Sequence, residues 1–83
     1  MIVGDGILLA YKGNSKYVEI PKGVETIAPA CFLNHEEIEG VAIPDTVTII
    51  GEEAFMGCTS LQNVNGADNV KKIQDRAFKN TNL

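Results

Sequence analysis

The sequence predicts a repeat solenoid, mainly β, with short helical or 3-10 turns. Three observations point there. An apolar pattern recurs every 23 residues, Val-x-Ile strands end in Pro, and a Phe returns at the same place in each unit. A period of about 20–50 residues marks units that cannot bury their apolar faces alone and must stack.

The units begin at Val18, Val41 and Val64 and occupy residues 18–40, 41–63 and 64–83. Val24, Val47 and Val70 share a column, as do Ile27, Ile50 and Ile73, and Phe32, Phe55 and Phe78. A small residue precedes each Phe: Cys31, Ala54, Ala77. Ile38 and Leu61 fill the column six residues after the first two. In the third unit Gly66-Ala67 replaces the Ile-Pro of Ile20-Pro21 and Ile43-Pro44.

Each element follows from local chemistry. Val-x-Ile alternates with period two, as a strand with one buried face does. Pro21 and Pro44 stop it, because Pro has no N–H for the ladder. Lys22-Gly23 and Asp45-Thr46 turn the chain. A second extended piece reaches Ile27, Ile50 or Ile73. After a polar turn, the Phe is expected on a helical turn or short 3-10 piece. Equivalent strands then pair in parallel, about 4.8 Å apart, and Phe32, Phe55 and Phe78 form a core ladder of offset rings.

Residues 1–17 lie outside the period and read as a capping segment. Ile7–Tyr11 is a strand candidate, Lys12–Ser15 a turn and Lys16–Ile20 the returning strand. That hairpin is expected to cover the first unit, with Tyr11 and Tyr17 suited to a lid.

Residues 43–61, with Ile43-Pro44-Asp45, Val47-Thr48, Ile50-Gly51, Ala54-Phe55 and Gly57-Cys58-Thr59-Ser60-Leu61, resemble the BspA-type leucine-rich repeat family. The resemblance runs over residues 18–83, and the Gly4-Asp5-Gly6-Ile7-Leu8 hairpin is similar to the entry segment that often precedes such repeats. The first unit departs from the pattern at Pro29, Cys31 and His35, the third at Gly66-Ala67. The resemblance implies a curved leucine-rich-repeat-like stack on surface or secreted proteins of host-associated bacteria, acting as an adhesin or protein-binding array. It implies no activity, and an extracellular or cell-surface location.

Composition excludes several classes. The chain has 83 residues, 45% hydrophobic and 22% charged, enough apolar content for one small folded domain. The longest apolar run, Ile7–Tyr11, is far too short to cross a membrane. Met1–Gly6 lacks the basic-then-apolar order of a signal peptide. A net charge of −4 disfavours nucleic acid. Charge is uneven: residues 18–40 carry a net −4, residues 64–83 a net +2. With Val64, Val70, Ile73 and Phe78 expected on an uncovered side, the expectation is weak self-association through the C-terminal edge, the alternative being that the divergent Gly66-Ala67 unit is itself a cap and the chain a monomer.

Catalytic and metal chemistry is poorly supplied. His35 is the only histidine, and Cys31 and Cys58 belong to no CxxC. Cys58 lies one unit from His35 in the same column, the best enzyme-like pair, but a small buried residue suits that position better. Cys31 should face Ala54 rather than Cys58, so both thiols are expected free. Glu36-Glu37 and Glu52-Glu53 sit in turns without a cleft. No cofactor is expected.

A non-enzymatic scaffold is therefore expected, binding a protein or glycan partner. Its candidate ligand-facing surface is the outward column Glu19, Ala42 and Asn65, flanked by Glu39 and Gln62, with no aromatic anchor. The alternatives are a rigid structural spacer in a larger multidomain protein and, distantly, a non-catalytic part of an enzyme.

Overall fold

The computed structural model describes residues 2–83, with side chains from Val3 onward. Among the described residues there are eight short strands: β1 (Ile2–Gly4), β2 (Ile7–Ala10), β3 (Tyr17–Glu19), β4 (Thr26–Ile27), β5 (Gly40–Ala42), β6 (Ile49–Ile50), β7 (Asn63–Asn65) and β8 (Lys72–Ile73). They form a five-stranded sheet, β1-β2-β4-β6-β8, and a three-stranded sheet, β3-β5-β7. Each coil contributes one strand to each sheet.

The 23-residue period is the pairing register. Val18, Val41 and Val64 stand opposite one another across β3-β5-β7. Ile27, Ile50 and Ile73 do so across β4-β6-β8. Side chains alternate across a strand, so these columns point inward between the sheets. The core collects Val18, Val24, Ile27, Ile38, Val41, Val47, Ile50 and Leu61 with the aromatic residues, and no polar side chain among the described residues is buried in it.

The chain start differs from expectation. Lys12–Ser15 does not close a hairpin, and β3 does not pair with β2. The antiparallel pair is β1 with β2, turning at Asp5-Gly6. Both turn residues have positive φ, 51° and 77°, as a two-residue type I′ hairpin requires. The residues from Lys12 to Ser15 have no positive φ. β2 instead runs parallel to β4, with Leu8 opposite Ile27. Residues 7–17 are thus a shortened coil that adds β2 to the five-stranded sheet, and Leu8 heads the isoleucine column.

The corner carrying each Phe is also not helical. It is a run of tight turns with left-handed residues at Ala30, Glu53 and Arg76, and at Asn34, Gly57 and Asn80, each set repeating at 23 residues. Amides alternate in their use. Cys31, Leu33 and His35 donate three residues back, to Ala28, Ala30 and Phe32. Ala30, Phe32 and Asn34 donate forward, to Glu52, Ala54 and Met56 of the next coil. Glu53, Phe55 and Gly57 repeat this toward Asp75, Ala77 and Lys79. A helix would spend every amide within the turn; this corner spends half of them on a third inter-coil ladder. At Gly57 a Cβ would run into the Asn34 side chain. The only 3-10 turn among the described residues is Ala67–Asn69, in the divergent unit.

The aromatic ladder is present and has an extra rung. Phe32 and Phe55 lie 4.8 Å apart at 4°, Phe55 and Phe78 5.2 Å apart at 3°. Tyr11 packs against Phe32 with centroids 5.1 Å apart, its ring tilted by 34°. Its hydroxyl accepts the Ser15 amide at 3.2 Å. Of the residues expected on an uncovered C-terminal side, Ile73 is exposed, while Val64, Val70 and Phe78 pack partly against the core.

Phe55 has a ring on each side and is fully buried. Truncating a core Phe to Ala costs about 3–5 kcal/mol. A domain of this length holds only about 4–12 kcal/mol. Phe55→Ala should leave the chain largely unfolded, or sharply lower its melting temperature by circular dichroism. An unchanged melt would contradict the ladder's role.

Candidate interaction surface

The outward face of the β3-β5-β7 sheet is built by strand alternation. Val18 is buried between exposed Tyr17 and Glu19. Register then sets two outward rows: Tyr17–Gly40–Asn63 and Glu19–Ala42–Asn65. The second row holds three residues the sequence pointed to. Glu19 and Asn65 are exposed and Ala42 is half-buried between them. Glu39 and Gln62 flank the rows. The Gln62 and Asn63 amides donate to the Glu39 carbonyl at 2.9 and 3.3 Å.

The first row contains the residue that sequence reasoning misplaced. Tyr17 is no lid; it stands on the outward face, 69% exposed. The signal was available: with Val18 and Ile20 inward, Tyr17 must point out. Its hydroxyl donates to Glu39 Oε1 at 3.3 Å. Beyond the strand ends, a shallow groove runs between the two Ile-Pro corners, lined by Glu19, Pro21, Lys22, Ala42, Pro44 and Asp45. Among the described residues, none of Glu19, Glu39 and Asp45 is in an ion pair.

The Cys58–His35 pairing takes a different form from a catalytic dyad. Cys58 is fully buried and its thiol donates to the Phe32 carbonyl at 3.0 Å. The hydrogen bond of that thiol is thus to the Phe32 main chain and not to the His35 ring. The ring instead bonds through Nδ1 to Glu37 Oε2 at 2.8 Å and packs edge-on against Tyr11. That bond holds the Glu37 carboxyl below its usual range. Among the described residues, no three His, Cys, Asp or Glu side chains converge as metal ligands would. Arg76 reaches Glu53 at 3.1 Å and Glu52 at 3.4 Å, an exposed pairing along the corner.

Cys31 and Cys58 are both free and buried. Burial pushes each thiol up to about 11, from an ordinary 9.0. Between those values the unfolded chain has lost protons that the folded chain retains, so stability falls as pH rises from about 9 to 11. Melts across that window should drop more steeply for this protein than for a Cys31→Ala, Cys58→Ala variant; equal slopes would contradict thiol burial. Without reductant, alkylation after denaturation should add two labels by intact mass, and none would mean a disulfide.

Comparison with known proteins agrees with this geometry. Residues 9–83 match the family model described as BspA type Leucine rich repeat region (6 copies). The chain is similar to the T. pallidum Leucine Rich Repeat protein (TpLRR), known from a crystal structure. Identity is 30% and the TM-score 0.84, over 89% of this chain and 37% of that one. The chain therefore spans little more than a third of that protein's length. Comparison with curated proteins finds no match. No helix among the described residues is long and apolar enough to cross a membrane. With the two-sheet coils, the 23-residue register and a family match over nearly its whole length, the chain belongs to the BspA-type leucine-rich repeat family.

Proposed function

We propose that this chain is a non-enzymatic, adhesin-like binding module of a bacterial surface or secreted protein. In this reading residues 1–17 cover the first coil, and residues 18–40, 41–63 and 64–83 are the array. The outward β3-β5-β7 face meets a protein or glycan partner through Glu19, Ala42 and Asn65, with Glu39 and Gln62 at its margin. One observation carries the reading: backbone pairing holds these side chains in fixed rows. A rigid face loses little conformational freedom on binding, which is what a recognition surface needs. The surface location rests on the family resemblance.

The test is adherence of beads coated with the chain to panels of immobilised proteins and glycans. Ala42→Arg and Asn65→Arg should weaken adherence at least about tenfold, the effect of losing about 1.4 kcal/mol. Thr59→Arg, on an exposed turn, should leave it unchanged. All three should melt near the parent, as outward substitutions generally do. Adherence indifferent to the sheet-face variants would overturn the reading, and no adherence to any panel would favour a spacer.

A second surface follows from the last coil, where Ile73 and Leu83 are 59% and 61% exposed beside the basic excess of residues 64–83. We propose weak self-association through this edge. Light scattering should show mass rising with concentration, less so in salt. A constant monomer mass would remove it.

A further inference from the structure

We propose that the partner presents a cationic, extended segment to the β3-β5-β7 face, with a Lys or Arg side chain on the open face of Tyr17 and its charge beside Glu39 and Glu19. This rests on the reading of that face as the binding surface, and it specifies the partner's chemistry.

The argument starts from Gly40. Its φ is not in the left-handed region, so its backbone does not demand glycine. Space is tight instead: a Cβ there would stand 3.1 Å from Tyr17 Cδ1 and 3.5 Å from Cε1, so the ring would have to give by a few tenths of an ångström. The Cδ1–Cε1 edge of the ring lies beside the place a Gly40 side chain would take. Gly40 is buried beneath it, yet Tyr17 is 69% exposed. Its hydroxyl is tethered to Glu39. The ring therefore meets the backbone along one edge and leaves most of its aromatic surface open, tied at its hydroxyl to Glu39. An aromatic face attracts a cation through its quadrupole.

The charge around the ring has the matching sign. Glu39 is bonded to the ring's own hydroxyl. Glu19 lies two residues along the same strand, on the same outward face. Asp45 continues the acidic side along the groove, where Lys22 is the only cation in the lining. Residues 18–40 as a whole carry a net −4. An extended peptide turns alternate side chains the same way, two residues apart, which is also the spacing of the Tyr17 and Glu19 rows. A neutral glycan would use the ring but leave the carboxylates without counter-charge. The combination favours a protein segment bearing Lys or Arg.

The test is an NMR titration of the ¹⁵N-labelled chain with a blocked Arg-Gly-Arg-Gly-Arg peptide. Comparison peptides carry citrulline or Glu in place of Arg. Saturable shifts are expected at Tyr17, Glu19, Gly40 and Ala42 with the Arg peptide, weakening as salt rises. The citrulline and Glu peptides should bind at least about tenfold more weakly, as loss of the charge-assisted contacts requires. Tyr17→Leu keeps an apolar cover over Gly40 but has no π face, and should weaken binding about two- to fivefold. Glu19→Gln with Glu39→Gln should weaken it further and flatten the salt dependence. Shifts centred on Glu52 and Glu53 would overturn the proposal. Equal shifts at the sheet face from the Arg and citrulline peptides would overturn the cationic partner while leaving that face a binding surface. No shift with the Arg peptide would also overturn the proposal, and bead adherence would then decide the broader reading separately.

Discussion

Phe55 is held between two rings, 4.8 Å from one and 5.2 Å from the other, nearly parallel to both. Those separations are close to the spacing between neighbouring strands. Carbon atoms in contact sit about 3.5–4.0 Å apart, so parallel rings with centroids this far apart are displaced sideways, the offset that aromatic quadrupoles prefer. Ring stacking and backbone pairing thus demand the same rise per coil. A one-residue slip of a strand's register would turn its inward column toward solvent. The 23-residue period is the constraint on which both sheets and the core depend.

The corner shows how that constraint is met locally. Non-glycine residues in the left-handed region cost about 1–2 kcal/mol each. The first coil has two, at Ala30 and Asn34, although Asn tolerates this conformation better than most. In return, three amides per coil are freed to bond the next coil, at about 0.5–1.5 kcal/mol each. The two terms are of similar size. The forward bonds also fix the Phe side chain in line with its neighbours, so the ladder and the strained turns are consequences of one arrangement.

Much of the fold was legible because periodicity is a global signal. The Val, Ile and Phe columns, the parallel register and the inward core could all be counted from the chain. The local conformations were harder. A Phe a few residues beyond a turn fits a helical turn equally well until the forward bonds are known, and those come from the neighbouring coil. The Gly4–Leu8 hairpin forms at Asp5-Gly6, whose positive φ values suit a two-residue turn, whereas the Lys12–Ser15 hairpin does not form because β2 pairs in parallel with β4, a partner that only the next coil supplies. Once β2 joined the parallel sheet, Tyr11 became the first rung of the ladder. At the surface, Glu19, Ala42 and Asn65 followed from register alone. Tyr17 was missed because it was grouped with Tyr11, though the two lie on opposite sides of the sheet layer: one packs on Phe32, the other faces solvent.

That distinction links packing to function. The inward columns make each coil rigid, and rigidity places the outward rows. The account therefore stands on the aromatic register, including its first rung. Selective labelling of Phe and Tyr rings, followed by ring-to-ring nuclear Overhauser measurements, tests it most directly. The account predicts cross-peaks for Tyr11–Phe32, Phe32–Phe55 and Phe55–Phe78, whose centroids lie 5.1, 4.8 and 5.2 Å apart, and none for Phe32–Phe78. Loss of the Phe32–Phe55 contact, or a direct Phe32–Phe78 contact, would contradict it.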